Sequence, residues 1–177
     1  MGDALQDLIN KVIQWGRDRN LNAPENLKAQ TMKLVSEFGE IGAAVHQYDR
    51  REEIDGIGDT IIVAIIIGQQ IGFPVVSADL EPAEMTDQSD FHRAAGLLGT
   101  FVDYVLKNHD AKDQNYQLKQ FLQAVCDFAH ARGVDVQVAL GAAYNEIKDR
   151  KGVMYKGAFI KEADPRYASA VAELGLS

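Results

Sequence analysis

A chain of 177 residues, 46% hydrophobic and 25% charged, has the make-up of one globular domain with a sizeable core, and its composition excludes a disordered or fibrous chain. The formal net charge of -8 argues against a nucleic acid polymer or an anionic lipid surface as partner, although a local basic patch can still hold a small anionic ligand. The single cysteine, Cys126, excludes an internal disulfide framework and a CxxC metal site, and suits a reducing, cytoplasmic setting.

The opening stretch MGDALQDLINKVIQWGRDRN has no basic head leading into a continuous apolar core, so it does not read as a secretory signal. Gln6 stands where the myristoylation pattern needs Ser or Thr. Leu5, Leu8, Ile9, Val12 and Ile13 recur at helical spacing and predict an amphipathic helix. A second helix is predicted after Pro24, in ENLKAQTMKLVSEFGEIGAAVHQY, with an apolar stripe through Leu27, Met32, Leu34, Val35, Phe38, Ile41 and Val45. Asp49, followed three residues later by Glu52, resembles a capping box and predicts a third helix from near Arg50. Its apolar run IIVAIII ends at Gly68 and two glutamines, far short of the roughly 20 residues that cross a bilayer. The β-branched isoleucines make a strand the rival there, but Ile54, Ile57, Ile61, Ile62, Ile65 and Ile66 continue one pattern from the cap without a turn signal.

Residues 73–90, with two prolines and several acids, read as connecting chain, with 76–90 the connector between the acidic helix pair and the C-terminal helices. FHRAAGLLGTFVDYVLKN and QNYQLKQFLQAVCDFAHARG predict two more helices, the latter ending at Gly133. A last helix is predicted from an Asp135 N-cap to just before Gly152. Beyond it, two β-prone arms flank Lys156-Gly157 as in a hairpin. The expectation is an all-α helical bundle in a single domain, 1–177, with a short C-terminal β-hairpin.

Acidic residues sit against these apolar stripes in pairs. Asp55 and Asp59 lie about 40° apart on one face of the third helix, and that face continues into Ile62 and Ile66. Glu37 and Glu40 lie about 60° apart on the second helix, beside Leu34, Phe38 and Ile41. Antiparallel packing across HQYDRREE would bring the four carboxylates close, where they repel one another and resist desolvation unless a cation joins them. A divalent metal resolves that conflict, and oxygen donors without His or Cys favour Mg²⁺ or Mn²⁺ over zinc. No Glu has a His three residues later, which argues against a ferritin-like di-iron site. The alternative is a wet helix face for Glu37 and Glu40 and support of the helix dipole by Asp55 and Asp59, an account that is weaker for Asp59, more than two turns inside.

KLVSEFGEIGAAV followed by DGIGDTIIVAIIIGQQIG, with the tail AAYNEIKDRKGVMYKGAFIKEAD, resembles the MazG-like, all-α nucleoside triphosphate pyrophosphohydrolases, in particular their phage and bacterial branch. The resemblance covers roughly the first seventy and last fifty residues and leaves 76–115 less matched. It implies a helical bundle of the all-α NTP pyrophosphatase type and hydrolysis of nucleoside triphosphates to monophosphate and pyrophosphate. It also implies Mg²⁺, with Mn²⁺ as substitute, and a homodimer or homotetramer. Glu37 and Glu40 match the family's ExxE helix, and Asp59 matches the end of its ExxD helix. Gly56 stands where the second Glu belongs, with Asp55 one residue earlier as its stand-in. The resemblance thus makes Glu37, Glu40 and Asp59 catalytic, and Glu37, Glu40, Asp55 and Asp59 metal ligands.

The tail from Lys148 to Lys161 carries Lys148, Arg150, Lys151, Lys156 and Lys161 against the lone acid Asp149. By resemblance Asn145 joins the metal or sugar contacts and Lys148, Arg150 and Lys151 hold phosphates; the other reading is a solvated helix end. Lys33 is a phosphate contact or an ion-pair partner of Glu37. Trp15 and Tyr144 are candidates for stacking on the base, or core aromatics. Cys126 is expected in the core, and the four histidines form no ligand pattern. Two rival functions share these features: a dUTPase or nucleoside diphosphate hydrolase of the same superfamily, and a helical module that binds nucleotide without turnover.

Overall fold

The computed structural model describes residues 2–83 and 91–176, and its central element is α3 (Arg50–Gln70). From Gly56 to Gly68 every residue of α3 except Asp59 is buried. A helix that is apolar all round needs walls all round, and four other helices provide them: α1 (Gly2–Arg17), α2 (Leu27–Gln47), α5 (Ala111–Ala131) and α6 (Val136–Ile147). Burial on every side outweighs the strand preference of the isoleucines, so the predicted helix forms. With α4 (Phe91–Leu106) and α7 (Tyr167–Leu174) the described residues form an all-α bundle, to which β1 (Gly152–Tyr155) and β2 (Ala158–Lys161) add an antiparallel hairpin. Among the described residues no helix is long and apolar enough to cross a membrane.

The α2–α3 corner is built from local chemistry. Tyr48 takes a left-handed conformation with φ 57° and ends α2. Asp49 then caps α3, its carboxylate accepting the N–H groups of Arg51 and Glu52 at 3.1 Å each. The reciprocal half of the predicted capping box is not made, because the Asp49 N–H donates to the Ala44 carbonyl at 2.9 Å and seals the end of α2 instead.

Three other elements differ from the sequence expectation. Asp110 caps α5 through the Asp113 N–H at 2.9 Å, so that helix starts ahead of residue 114. Helix α6 stops at Ile147, which leaves Lys148, Arg150 and Lys151 in the loop to β1; Arg19 donates to the Arg150 carbonyl at 2.8 Å and holds that loop. Helix α7 was not expected. Its Ala170 joins Val153 and Ile160 in a small second core against the hairpin. The connector begins with a 3₁₀ turn at Ser77–Leu80 that buries Leu80, and residues 84–90 of the predicted 76–90 segment lie outside the described residues. The hairpin turns through Lys156 and Gly157, both at positive φ (49° and 79°), as a two-residue type I′ turn requires. It is fastened to the end of α1 by the Met154 N–H donating to the Arg19 carbonyl at 2.7 Å.

Gly58 lets α6 approach. A Cβ there would lie 2.7 Å from the Ala143 Cβ and run into the Ala139 carbonyl. At the head of α3, Glu53 is 2% exposed and takes two hydrogen bonds from Arg132, at 2.7 and 3.0 Å, with Arg50 at 3.2 Å. The Arg132 bonds hold its carboxyl below the usual range against the opposing effect of burial.

Gly58→Ala is expected to cost about 2 kcal/mol or more, because α3 and α6 must separate to admit the methyl group; equilibrium urea unfolding measures it. A depressed carboxylate stabilises above its ordinary range and loses that contribution as pH falls through its folded value. Glu53→Gln should therefore cost about 1–2 kcal/mol at pH 7, with the gap to wild type narrowing towards pH 3; a gap independent of pH would remove the ion-pair account.

Candidate functional site

Between α1, α2, α3 and the hairpin lies a cavity of about 350 Å³. Helix α2 contributes Ala29, Gln30, Lys33 and Glu37, and α3 contributes Asp59, Ile62, Val63 and Ile66. Trp15, Leu21 and Ile147 line it further, with Arg150, Met154, Gly157 and Phe159 from the C-terminal segment. Helical periodicity explains the α2 set, since positions 30, 33 and 37 share one face. Gly56 packs against Ile41, so in this antiparallel pair Glu37, one turn back along α2, is level with Asp59 and Thr60, while Gln30 is level with Ile66. The cavity is thereby polarised: Glu37 and Asp59 lie towards one end, and Leu21, Ile66 and Gln30 towards the other.

The charged end is not neutral in its chemistry. Glu37 is 2% exposed and its carboxylate is ion-paired with Lys33, one turn earlier. Among the described residues Asp59 has no such partner at hydrogen-bond distance. Burial pushes its carboxyl up to about 6, the charge of Asp55 adds to the rise, Lys33 and Arg150 oppose it, and Glu146 contributes a little. The cavity wall thus holds one compensated and one uncompensated carboxylate.

Trp15 is oriented from both sides. Its indole N–H donates to the Ile147 carbonyl at 2.9 Å, and the Arg19 guanidinium lies 4.7 Å from the ring centroid. Phe159 reaches the cavity from β2. Its ring lies over Gly152, where a Cβ would come within 2.6 Å of the ring Cζ.

Of the residues expected in the site, Trp15, Lys33, Glu37, Asp59 and Arg150 line this one cavity. Glu40 is exposed and lies outside the lining. Asp55 opens onto a neighbouring depression with Arg50, Arg51, Glu52 and Glu146. Tyr144 packs against the main core rather than lining the cavity. Asn145 accepts from the Lys148 ammonium at 3.1 Å on the exposed surface, and Lys151 pairs with Glu162 at 3.3 Å. Among the described residues no three His, Cys, Asp or Glu side chains gather closely enough to hold a metal ion.

Gly56 has a packing role. A Cβ at this position would lie 3.0 Å from Ile41 Cγ1 and 3.2 Å from the Ile41 backbone nitrogen. The position faces α2 and not the cavity, so any side chain there needs Ile41 to give by a few tenths of an ångström. Gln30 and Phe159 were missed from sequence. Gln30 shares the face of Lys33 and Glu37 and was within reach of helical periodicity. Phe159 enters through a hairpin that returns from the far end of the chain, and no local pattern announces it.

Comparison with known proteins is sparse. No family model matches the chain. An uncharacterized 18.2 kDa protein from the rep-hol intergenic region of Haemophilus phage HP1 (strain HP1c1) is 38% identical over 66 residues, 37% of this chain and 40% of that protein. The chain therefore matches less than half the length of that curated relative, whose description names no activity. No solved structure matches.

An aspartate raised in the folded state stabilises below its unfolded value and loses that contribution as pH rises through about 6. Without divalent cations, Asp59→Asn should therefore melt about 2–4 °C above wild type at pH 7.5, and the two should converge near pH 4. Thermal unfolding in the presence of a chelator measures this, and a lower Tm for the variant at pH 7.5 would mean that Asp59 is stabilised by a partner.

Proposed function

We propose that the chain is a Mg²⁺-dependent nucleoside triphosphate pyrophosphohydrolase, as its resemblance to the MazG-like family implies. The observation that carries this reading is the mixed lining of one cavity: two carboxylates and two cations, Glu37, Asp59, Lys33 and Arg150, together with aromatic and aliphatic walls. A nucleotide is divided in the same way between phosphates and base. The resemblance supplies the reaction, and the cavity supports it by offering a place for each half of the substrate.

The donor chemistry fits a hard divalent cation. Mg²⁺ is commonly held by one or two carboxylates, with water and substrate phosphates completing its shell. Glu37 and Asp59 would hold it, since both carboxylates line the same cavity. Glu40 and Asp55, each one turn away, stand next in line. Glu40 makes no side-chain hydrogen bond or ion pair among the described residues, so its carboxylate can turn. Mg²⁺, or Mn²⁺ in its place, supplies charge screening and a more acidic water. Lys33 and Arg150 attract the phosphates, with Lys148 and Lys151 nearby in the same loop, and Asn145 is kept as a sugar contact. Trp15 forms a wall for the base, while Tyr144 supports the core behind it. Water attacks the α-phosphorus, the bond from that phosphorus to the bridging oxygen breaks, and pyrophosphate leaves with the electron pair while the water proton passes to solvent.

Gly56, at the position where the resemblance expects a glutamate, favours one second reading, nucleotide binding without turnover. An open apolar groove between α2 and α4, lined by Val35, Gly39, Ala95, Gly99 and Val102, supports association into a homodimer or homotetramer. The buried Cys126 thiol, pushed up to about 12 by burial, fits a cytoplasmic protein whose cysteine does no chemistry.

Purified protein is expected to release pyrophosphate and the matching monophosphate from at least one of a panel of ribo- and deoxynucleoside triphosphates, only with Mg²⁺ or Mn²⁺ present. Glu37→Gln, Glu40→Ala and Asp59→Asn should each lower kcat at least about 100-fold with helical circular dichroism intact. Asp55→Ala should lower it less. Full activity in Glu37→Gln or Asp59→Asn would overturn the site, and metal-dependent nucleotide binding without pyrophosphate release would select the binding module.

A further inference from the structure

The cavity contains one polar side chain that the phosphate chemistry does not use. Gln30 is 6% exposed and lines the cavity wall, yet its amide makes no hydrogen bond among the described residues. The other buried carboxamides behave differently: Asn26 donates to the Asn20 carbonyl at 2.6 Å, Gln70 to Leu21 at 2.6 Å and Gln114 to His109 at 2.7 Å. A carboxamide without a protein partner takes its hydrogen bonds from whatever occupies the space it faces. The amide is not sealed either. The side chains with sealed, unpartnered atoms among the described residues are Asn22, Thr60 and Gln70, so the surface that Gln30 retains opens onto the cavity. Its neighbours in that part of the wall, Leu21, Ala29 and Ile66, offer hydrocarbon alone.

Its position is also defined. Gln30 precedes Glu37 by seven residues, almost in line on the helix face and about 10 Å away along the axis, with Lys33 between them. That separation is on the scale of a nucleoside. We propose that Gln30 reads the hydrogen-bonding edge of the nucleobase, and is the residue by which this site selects among bases. The inference rests on the nucleotide reading of the cavity. A carboxamide presents one donor and one acceptor side by side, so it matches an edge that offers the reverse pair, such as a ring nitrogen beside an amino group or a carbonyl beside a ring N–H. Trp15 and Phe159 provide the flat apolar walls along which such a ring lies. A ligand lacking that edge leaves the amide buried and unpaired, which is how a site of this kind discriminates.

The test uses the full chain and binding alone, so it does not depend on turnover. Trp15, the sole tryptophan, lines the cavity and reports occupancy through its emission. Wild type, Gln30→Leu and Gln30→Glu are titrated with the nucleoside monophosphates of each base and with ribose 5-phosphate. Wild type is expected to rank the bases. Gln30→Leu should weaken the preferred base about tenfold and flatten the ranking while leaving ribose 5-phosphate unchanged. Gln30→Glu, which keeps the shape and an acceptor but removes the donor, should reorder the bases, and it carries the comparison alone if Gln30→Leu does not fold. An unaltered ranking, or an equal loss for ribose 5-phosphate and every nucleotide, would overturn the role of Gln30 and leave the cavity's reading intact. Failure of wild type to bind any of the nucleotides would overturn both.

Discussion

The rest of the structure follows from the burial of α3. A helix with isoleucine on every side has no solvent face, and other elements have to surround it. Helices α2 and α6 come closest, where Gly56 meets Ile41 and Gly58 meets the Ala139–Ala143 turn. At Gly58 a single methyl group would hold the helices apart, and at Gly56 it would press closely on Ile41. Along this sealed stretch only Asp59 keeps partial exposure, and it keeps it by facing the cavity. The same packing that makes the core thus decides where a charged group can emerge from it.

Three carboxylates in the α2–α3 pair illustrate three outcomes of placing an acid against hydrocarbon. Glu53 is compensated by two arginines, and its carboxyl lies below the usual range. Glu37 is compensated by one lysine that is itself largely in water, a partner that can leave without unfolding anything. Asp59 has no partner within hydrogen-bond reach among the described residues, and burial raises its proton affinity. The first arrangement holds elements together, while the third leaves a partly buried acid facing the cavity.

The cavity owes its polarity to the antiparallel register of α2 and α3 and its closure to segments distant in sequence. Trp15 is held by Ile147 and Arg19, and the hairpin is fastened to the end of α1 through Met154. Small residues are again decisive, since Phe159 can lie over position 152 only because that position has no side chain. The wall facing the proposed base is therefore assembled from the first and last parts of the chain, and it depends on the loop after α6 leaving the helix at Ile147.

Much of this was legible without coordinates wherever the determining forces are local. Period and capping residues gave the five helices from α1 to α5 and the start of α6, Lys156-Gly157 announced the hairpin turn, and acids beside apolar stripes pointed to Glu37 and Asp59. Helix α7 escaped because it is only eight residues long, and its apolar residues find their partners only on the folded hairpin. The end of α6 was misplaced because Arg19, far away in sequence, binds the carbonyl of Arg150. The sequence by itself determined that acids would lie at the border of a buried apolar helix, because charge and periodicity are properties of neighbouring residues. Only the tertiary structure decided which acids share a cavity, that Gly56 packs against Ile41, and that Gln30 has no partner among the described residues, because each of these is set by the distance between elements that the chain itself does not join.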